Sequence, residues 1–230
     1  MRVALVTVGD ELLSGDTVNT NAAWLARRLT DRGATVERTT VLPDRVSDIA
    51  RVVNEYRAEY DAVIVTGGIG PTHDDVTMAA VAAAFGQELA ESEAALVDIE
   101  ERGGYAREDL TDGTAEIPAG ATFIPNPKGV APGAQLDSVY VLPGVPGEMK
   151  GMFEEIVDDF EGQRQHVVSV RVDEPESALL DRFERLQIEF DVSVGSYPGE
   201  DVRVKISGPD PETVEAAAEW LRERSVTVDS

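Results

Sequence analysis

Residues 3–8 and 61–66 are short, nearly unbroken apolar runs rich in valine, and each leads directly into a glycine-bearing loop. Such a run reads as a strand buried on both faces, and a strand buried that way must be covered by helices on both sides. The sequence between the runs supplies those helices. One is expected at 21–30, where Ala22, Leu25 and Leu29 recur at helical spacing and Gly33 can close the C-terminus. A strand follows at 35–42. Pro43-Asp44 then opens a helix whose Ile49, Val52, Val53 and Tyr56 share one face. After the strand at 61–66 comes Gly67-Gly68-Ile69-Gly70-Pro71 and a helix at 75–85, stopped by Gly86. Alternation at this spacing predicts an α/β fold of three layers, with a mostly parallel sheet between helices.

The rest of the chain is read more coarsely. Residues 91–116 hold a helix and then a polar, glycine-bearing loop. Strands at 121–125 and 138–142 flank Pro125-Asn126-Pro127-Lys128-Gly129-Val130-Ala131-Pro132-Gly133, and Pro143-Gly144-Val145-Pro146-Gly147 leads into a last helix reaching residue 160. Glu161-Gly162-Gln163-Arg164 is the expected boundary, giving domains 1–162 and 163–230. The second domain reads as strand 166–172, helix 175–190, strands 192–197 and 202–207, and helix 211–224, a small α+β unit of βαββα order.

Composition limits the function classes. With no cysteine, disulfides and thiolate metal sites are excluded. The N-terminal apolar run is too short and too soon acidic for a signal peptide, and no run approaches membrane-spanning length, so the cytoplasm is the expected location without a membrane partner. The net charge is −24, with 44 acidic residues against 20 basic ones, only three of them lysine. That balance argues against a nucleic-acid partner. The excess reads either as halophilic adaptation to high salt or as a local acidic surface. Scatter of the acids over nearly every helix favours salt adaptation.

Ligands of open α/β sheets bind outside the carboxyl ends of the strands. Three loops fall there: Gly9-Asp10-Glu11, Pro43-Asp44, and the run from Gly67 through Thr72-His73-Asp74-Asp75. The glycine loop offers backbone N–H groups to a phosphate, yet it is neither a Walker A loop nor a dinucleotide fingerprint. Asp74 and Asp75 beside a phosphate would repel it unless a divalent cation such as Mg²⁺ intervened. The plainer reading makes one of them a helix N-cap, with Asp44, Asn19 and Asn21 capping elsewhere. His73 and His166 have no second histidine near them in the sequence, so a histidine metal site is not expected.

Taken together, four motifs resemble one family. Gly9-Asp10-Glu11-Leu12-Leu13-Ser14-Gly15 with Asn19-Thr20-Asn21, then Thr66 through Thr77, then Pro125 through Gly133, then Leu142-Pro143-Gly144-Val145-Pro146-Gly147-Glu148-Met149, resemble the N-terminal part of the competence/damage-inducible protein A family, a molybdopterin-binding-like domain. The resemblance implies functional carboxylates at Asp44 and Asp75. It also implies substrate or phosphate contacts from Thr66, Gly67, Gly68, Gly70, Pro71, Thr72, Thr77, Asn19, Asn21, Pro127, Gly129, Pro143, Gly144 and Glu148. By the argument from charge beside the glycine loop, Asp74 and Asp75 are the expected metal ligands, with Asp10 and Glu11 as second candidates. The implied function is metal-dependent hydrolysis of a nucleotide pyrophosphate of the ADP-ribose or FAD type. The alternatives are a molybdopterin- or nucleotide-binding module, or adenylyl transfer to molybdopterin. Residues 163–230 resemble the family's KH-like domain without its Gly-x-x-Gly loop, and their 8 basic against 15 acidic residues point to packing or homo-oligomerisation rather than RNA. The chain departs from the family at Asp112-Gly113-Thr114-Ala115-Glu116, where a basic residue is expected.

Overall fold

The computed structural model describes residues 1–103, 106–162 and 165–228. The chain divides into two compact units, Met1–Gly162 and Gln163–Ser230. Gln163 and Arg164 of the expected boundary peptide, and Gly104 and Tyr105 of the polar loop, lie outside the described residues.

The first unit runs β1 (Arg2–Val8), α1 (Asp10–Ser14), α2 (Thr20–Asp31), β2 (Thr35–Leu42), α3 (Val46–Glu59), β3 (Ala62–Thr66) and α4 (Thr77–Ala84). It continues through β4 (Leu89–Glu91), α5 (Glu93–Asp98), a π turn (Ile99–Gly103), a 3₁₀ turn (Arg107–Asp109), β5 (Glu116–Pro118), β6 (Thr122–Ile124), β7 (Gly133–Leu136), β8 (Val139–Leu142) and α6 (Pro146–Ile156). The main sheet has the order β2-β1-β3-β8-β7-β6. Its first four strands are mutually parallel, and β7 and β6 are antiparallel.

Period-two alternation along the strands divides the core into two layers. Ala4, Val6, Val63, Val65, Val139 and Val141 face α3 and α4, packing on Ile49, Val53 and Val81. Val3, Leu5, Ile64, Tyr140 and Leu142 face α2 and α6, packing on Leu25, Leu29, Met149 and Phe153. Phe153 is fully buried, edge-on to Trp24 and stacked on Phe160 at 5.4 Å between ring centroids; burying such a ring contributes roughly 2–3 kcal/mol. The three-layer α/β fold is as expected. Because β1 connects to β2 on one side and β3 lies on the other, the chain reverses direction between β1 and β3, and a crevice opens outside their carboxyl ends.

Several local readings are corrected. The segment after Gly9 is a helix, α1, rather than a loop. Helix α4 starts at Thr77, with Val76 as N-cap and no side-chain cap, so neither Asp74 nor Asp75 caps it. Asp44 does not cap α3 either; Arg45 holds that position. The expected final helix ends at Ile156 and tightens into a 3₁₀ turn, Val157–Asp159. Sequence patterning also passes over β4, β5 and β7, strands of three or four residues that are too short to show a period.

The second unit is β9 (His166–Val172), a 3₁₀ turn (Glu176–Ala178), α7 (Leu180–Phe190), β10 (Ser193–Pro198), β11 (Val202–Gly208) and α8 (Pro211–Arg222). Its antiparallel sheet, in the order β10-β11-β9, is a separate α+β layer with its own core. No helix of the described residues is long and apolar enough to cross a membrane.

Candidate functional site

The glycine loop begins where β3 ends. Gly67 and Gly68 both take left-handed backbone angles, φ 97° and 63°, which a side chain disfavours. A β-carbon on Gly67 would stand 2.3 Å from the Val8 carbonyl oxygen, and one on Gly68 2.5 Å from Thr77 Oγ1. The loop therefore passes so close to β1 and α4 that only glycine fits. Its backbone is tied at two points: Gly67 N–H donates to Leu142 O at 3.1 Å, and Gly68 O accepts from Thr77 N–H at 2.9 Å. Among the described residues the N–H groups of Gly68, Ile69 and Gly70 donate to no protein oxygen. Thr77, fully buried, has a hydroxyl without a partner. Consecutive free N–H groups in such a turn form an anion-binding concavity.

Beyond Gly70 the loop folds on itself. Thr72 donates through its N–H to Asp75 Oδ2 at 3.0 Å, and its hydroxyl lies within hydrogen-bond reach of both Asp74 Oδ1 and Asp75 Oδ2. The hydrogen bond from Thr72 holds the Asp74 carboxyl below the usual carboxylate range. Asp75 thus braces the loop under Gly70 and Pro71, while His73 is almost fully exposed.

The crevice between β1 and β3 collects the other candidates. Asn19 caps α2 by accepting from Ala22 N–H at 3.1 Å and donates to Thr7 Oγ1 at 2.9 Å. Asn21 does not cap. It donates to Gly144 O at 2.7 Å, and its Oδ1 is buried without a partner. Gly144 follows buried Pro143 at the end of β8, and its α-carbon side packs on Gly67. Thr66, Asn19, Asn21, Glu11 and Gly144 line a small cavity of about 80 Å³. Asp44 accepts from Asp10 N–H at 2.9 Å. Burial raises its pKa first, and the negative charges of Asp10, Glu11 and Asp74 add to the rise, while the Asp10 N–H opposes it.

On the far side of the glycine loop is a larger cavity of about 400 Å³. Ile69, Met78, Leu89 and Leu110 supply apolar walls, and Asp75, Asp109, Asp112 and Glu116 supply carboxylates; among the described residues no lysine or arginine lines it. Residues 109–116, a polar loop by sequence that departs from the family pattern at 112–116, reach the glycine loop only through the tertiary fold. Pro127, Gly129 and Glu148 are placed elsewhere. Asn126, nearly fully buried, donates to Glu148 Oε2 at 2.7 Å and Ala131 O at 2.9 Å, and with Gly129 these residues knot the β6–β7 connection onto α6.

The expected metal ligands are not assembled with one another. Asp74 and Asp75 turn toward Thr72, Asp10 and Glu11 lie on α1, and no group of three acidic or imidazole side chains suited to a metal occurs among the described residues. The donor set does not form a ready cation cage among the described residues.

Comparison with known proteins agrees with the motif order. A family model described as "Probable molybdopterin binding domain" matches residues 4–161. A Pyrococcus furiosus protein is 39% identical over 246 residues, covering 98% of each chain. A CinA-like protein from Frankia casuarinae is 42% identical over 165 residues, 66% of this chain and 38% of that one. The crystal structure of the protein CinA, with unknown function, from Thermoplasma acidophilum superposes with a TM-score of 0.64 at 38% identity, over 69% of this chain and 97% of that one.

Proposed function

The chain belongs to the CinA-like proteins with a probable molybdopterin binding domain, and from that premise we propose that its first unit binds a phosphate-bearing pterin, or a nucleotide of similar shape, across the glycine loop. The observation that carries this reading is the row of undonated N–H groups at Gly68, Ile69 and Gly70, above the orphaned hydroxyl of Thr77. A phosphate set on that row satisfies the N–H groups and gives the hydroxyl an acceptor. The adjoining cavity of about 400 Å³ is large enough for a bicyclic ring. Its carboxylates suit a ring edge rich in N–H donors, as in a pterin, and its lack of cations disfavours a second phosphate there.

Thr77→Val tests this directly. Removing a buried, unpaired hydroxyl leaves the free protein as stable or slightly more so, while the shift in melting temperature caused by a pterin monophosphate or AMP should shrink. An unchanged ligand shift in Thr77→Val would refute the phosphate placement.

A second reading is supported by Asp44. A carboxylate with a raised pKa beside the phosphate row suits a general base. In this reading Asp44 takes a proton from water as the water oxygen bonds to a phosphorus of ADP-ribose or FAD. The bridging P–O bond breaks, leaving two monophosphates, one of them AMP. Chromatography of the nucleotides after incubation, with and without Mg²⁺, tests this and reads whether a cation is brought with the substrate. Absence of AMP under both conditions leaves the binding function and removes the hydrolytic one.

A further inference from the structure

By its 8 basic against 15 acidic residues, the second unit should repel polyanions, but its charge is not evenly spread. β9, β10 and β11 contain no aspartate or glutamate, although the chain has 44. In the sheet register Arg203 lies between Tyr197 and Arg171, Lys205 between Gly195 and Ser169, and Ser207 between Ser193 and Val167. Directly paired residues share a face, so all of these lie on one side. The opposite side, with Val170, Val172, Val204 and Ile206, is covered by Leu186 of α7 and Val214 and Leu221 of α8.

The open side is organised around an aromatic ring. Tyr197, 46% exposed, lies along its strand over Gly195, where a β-carbon would stand 3.3 Å from the ring. The Arg203 guanidinium sits 4.8 Å from the ring centroid. Arg203 and Lys205 make no ion pair among the described residues, and Arg171 pairs with Asp201 at 3.0 Å. The Asp201 pair is bidentate and neutralises Arg171, which leaves Arg203 and Lys205 as the cations of this face without an acidic partner among the described residues. Glu200 and Asp201, in the turn between β10 and β11, bound the face at one end.

We propose that this open sheet face binds single-stranded nucleic acid. A base stacks on Tyr197, and Arg203 and Lys205, about 7 Å apart along one strand, take neighbouring phosphates, with Arg171 flanking them. A protein partner, including a second copy of this acidic chain, would also bring negative charge. Stable protein interfaces, however, close around an apolar centre, and the large exposed apolar side chains of this face, Tyr197 and Val167, stand at opposite corners of it. The expectation of no nucleic-acid partner came from net charge, which averages away a face of opposite sign. This surface is built from strands of the second unit alone.

The test is fluorescence anisotropy of short labelled oligouridylate and oligothymidylate with the full chain, titrated with KCl from low salt. Expected are saturable binding of the single strands, weaker binding of a blunt duplex, and a log–log salt slope of about −1.4 to −2, set by two or three phosphate contacts. Arg203→Gln with Lys205→Gln should abolish binding, and Tyr197→Ala should weaken it about tenfold, each with the parent's melting temperature. AMP release and pterin-phosphate binding should be unchanged in these variants. Absence of binding at low salt, or equal affinity in the double variant, overturns the proposal. So does loss of an oligomer in the double variant, by sedimentation, without any nucleic-acid binding in the parent; that outcome assigns the face to a protein contact.

Discussion

Asp44 is part-buried and feels the negative charges of Asp10, Glu11 and Asp74, so its carboxyl releases a proton less readily than an exposed one. The folded chain therefore holds that proton more tightly than the unfolded chain. Stability falls as pH rises from the ordinary carboxylate value, about 3.9, through the raised one, and does not recover above it. Asp44→Asn keeps an acceptor for the Asp10 N–H and removes the charge. It should melt at a higher temperature than the parent at neutral pH, with the gain vanishing as pH approaches the ordinary value. A gain independent of pH would show that the charge is not its source. Gly68 makes the opposite case, since its backbone is left-handed and its neighbour is Thr77 Oγ1. Gly68→Ala should cost about 1–2 kcal/mol and lower the melting temperature by about 2–8 °C, and it should also remove the ligand-induced shift.

At the scale of elements, the site depends on connections more than on helices and strands. The β6–β7 connection is held on α6 through Asn126, which accepts from Lys128 N–H and donates to Ala131 O and Glu148 Oε2. Truncating it strands buried polar groups, so Asn126→Ala should lose about 2 kcal/mol or more in denaturant unfolding. The expected effect on ligand binding is indirect, through the Val130–Pro132 wall of the large cavity. If Asn126→Ala unfolds like the parent, the knot is not what fixes this wall. Thr72 plays the parallel role in the glycine loop, where Asp74 and Asp75 close on it rather than on a helix terminus.

For the whole molecule the governing quantity is the charge of −24. Many of the arginines are held in exposed pairs, such as Arg2 with Glu37 and Arg28 with Glu154, and pairs of that kind contribute little each. Most acids remain unneutralised. If the excess is an adaptation to salt, the melting temperature should climb steeply with KCl toward the molar range, where the Debye length falls to about 3 Å. A melting temperature flat in KCl would instead point to a dedicated acidic surface. The unbroken absence of acids from β9, β10 and β11 against this background gives the second unit a polarity that its composition conceals.

What the amino-acid sequence determined by itself was the layered α/β plan, because hydrophobic period and glycine position are local properties. The valine runs at 3–8 and 61–66 read as doubly covered strands, and Gly67-Gly68 as a turn following the second. Its order of motifs also pointed to the family. The tertiary structure alone decided where Asp44, Asp74 and Asp75 direct their carboxylates. Asp44 and one of Asp74 and Asp75 were expected to cap helices, yet all three carboxylates found other donors, Asp10 N–H for Asp44 and Thr72 for the other two. It also separated Glu148, Pro127 and Gly129 from the crevice and joined residues 109–116 to the glycine loop. In the second unit, strand register placed Arg171, Arg203, Lys205 and Tyr197 side by side. Such juxtapositions follow from pairing between segments distant in the chain, and no local pattern encodes them.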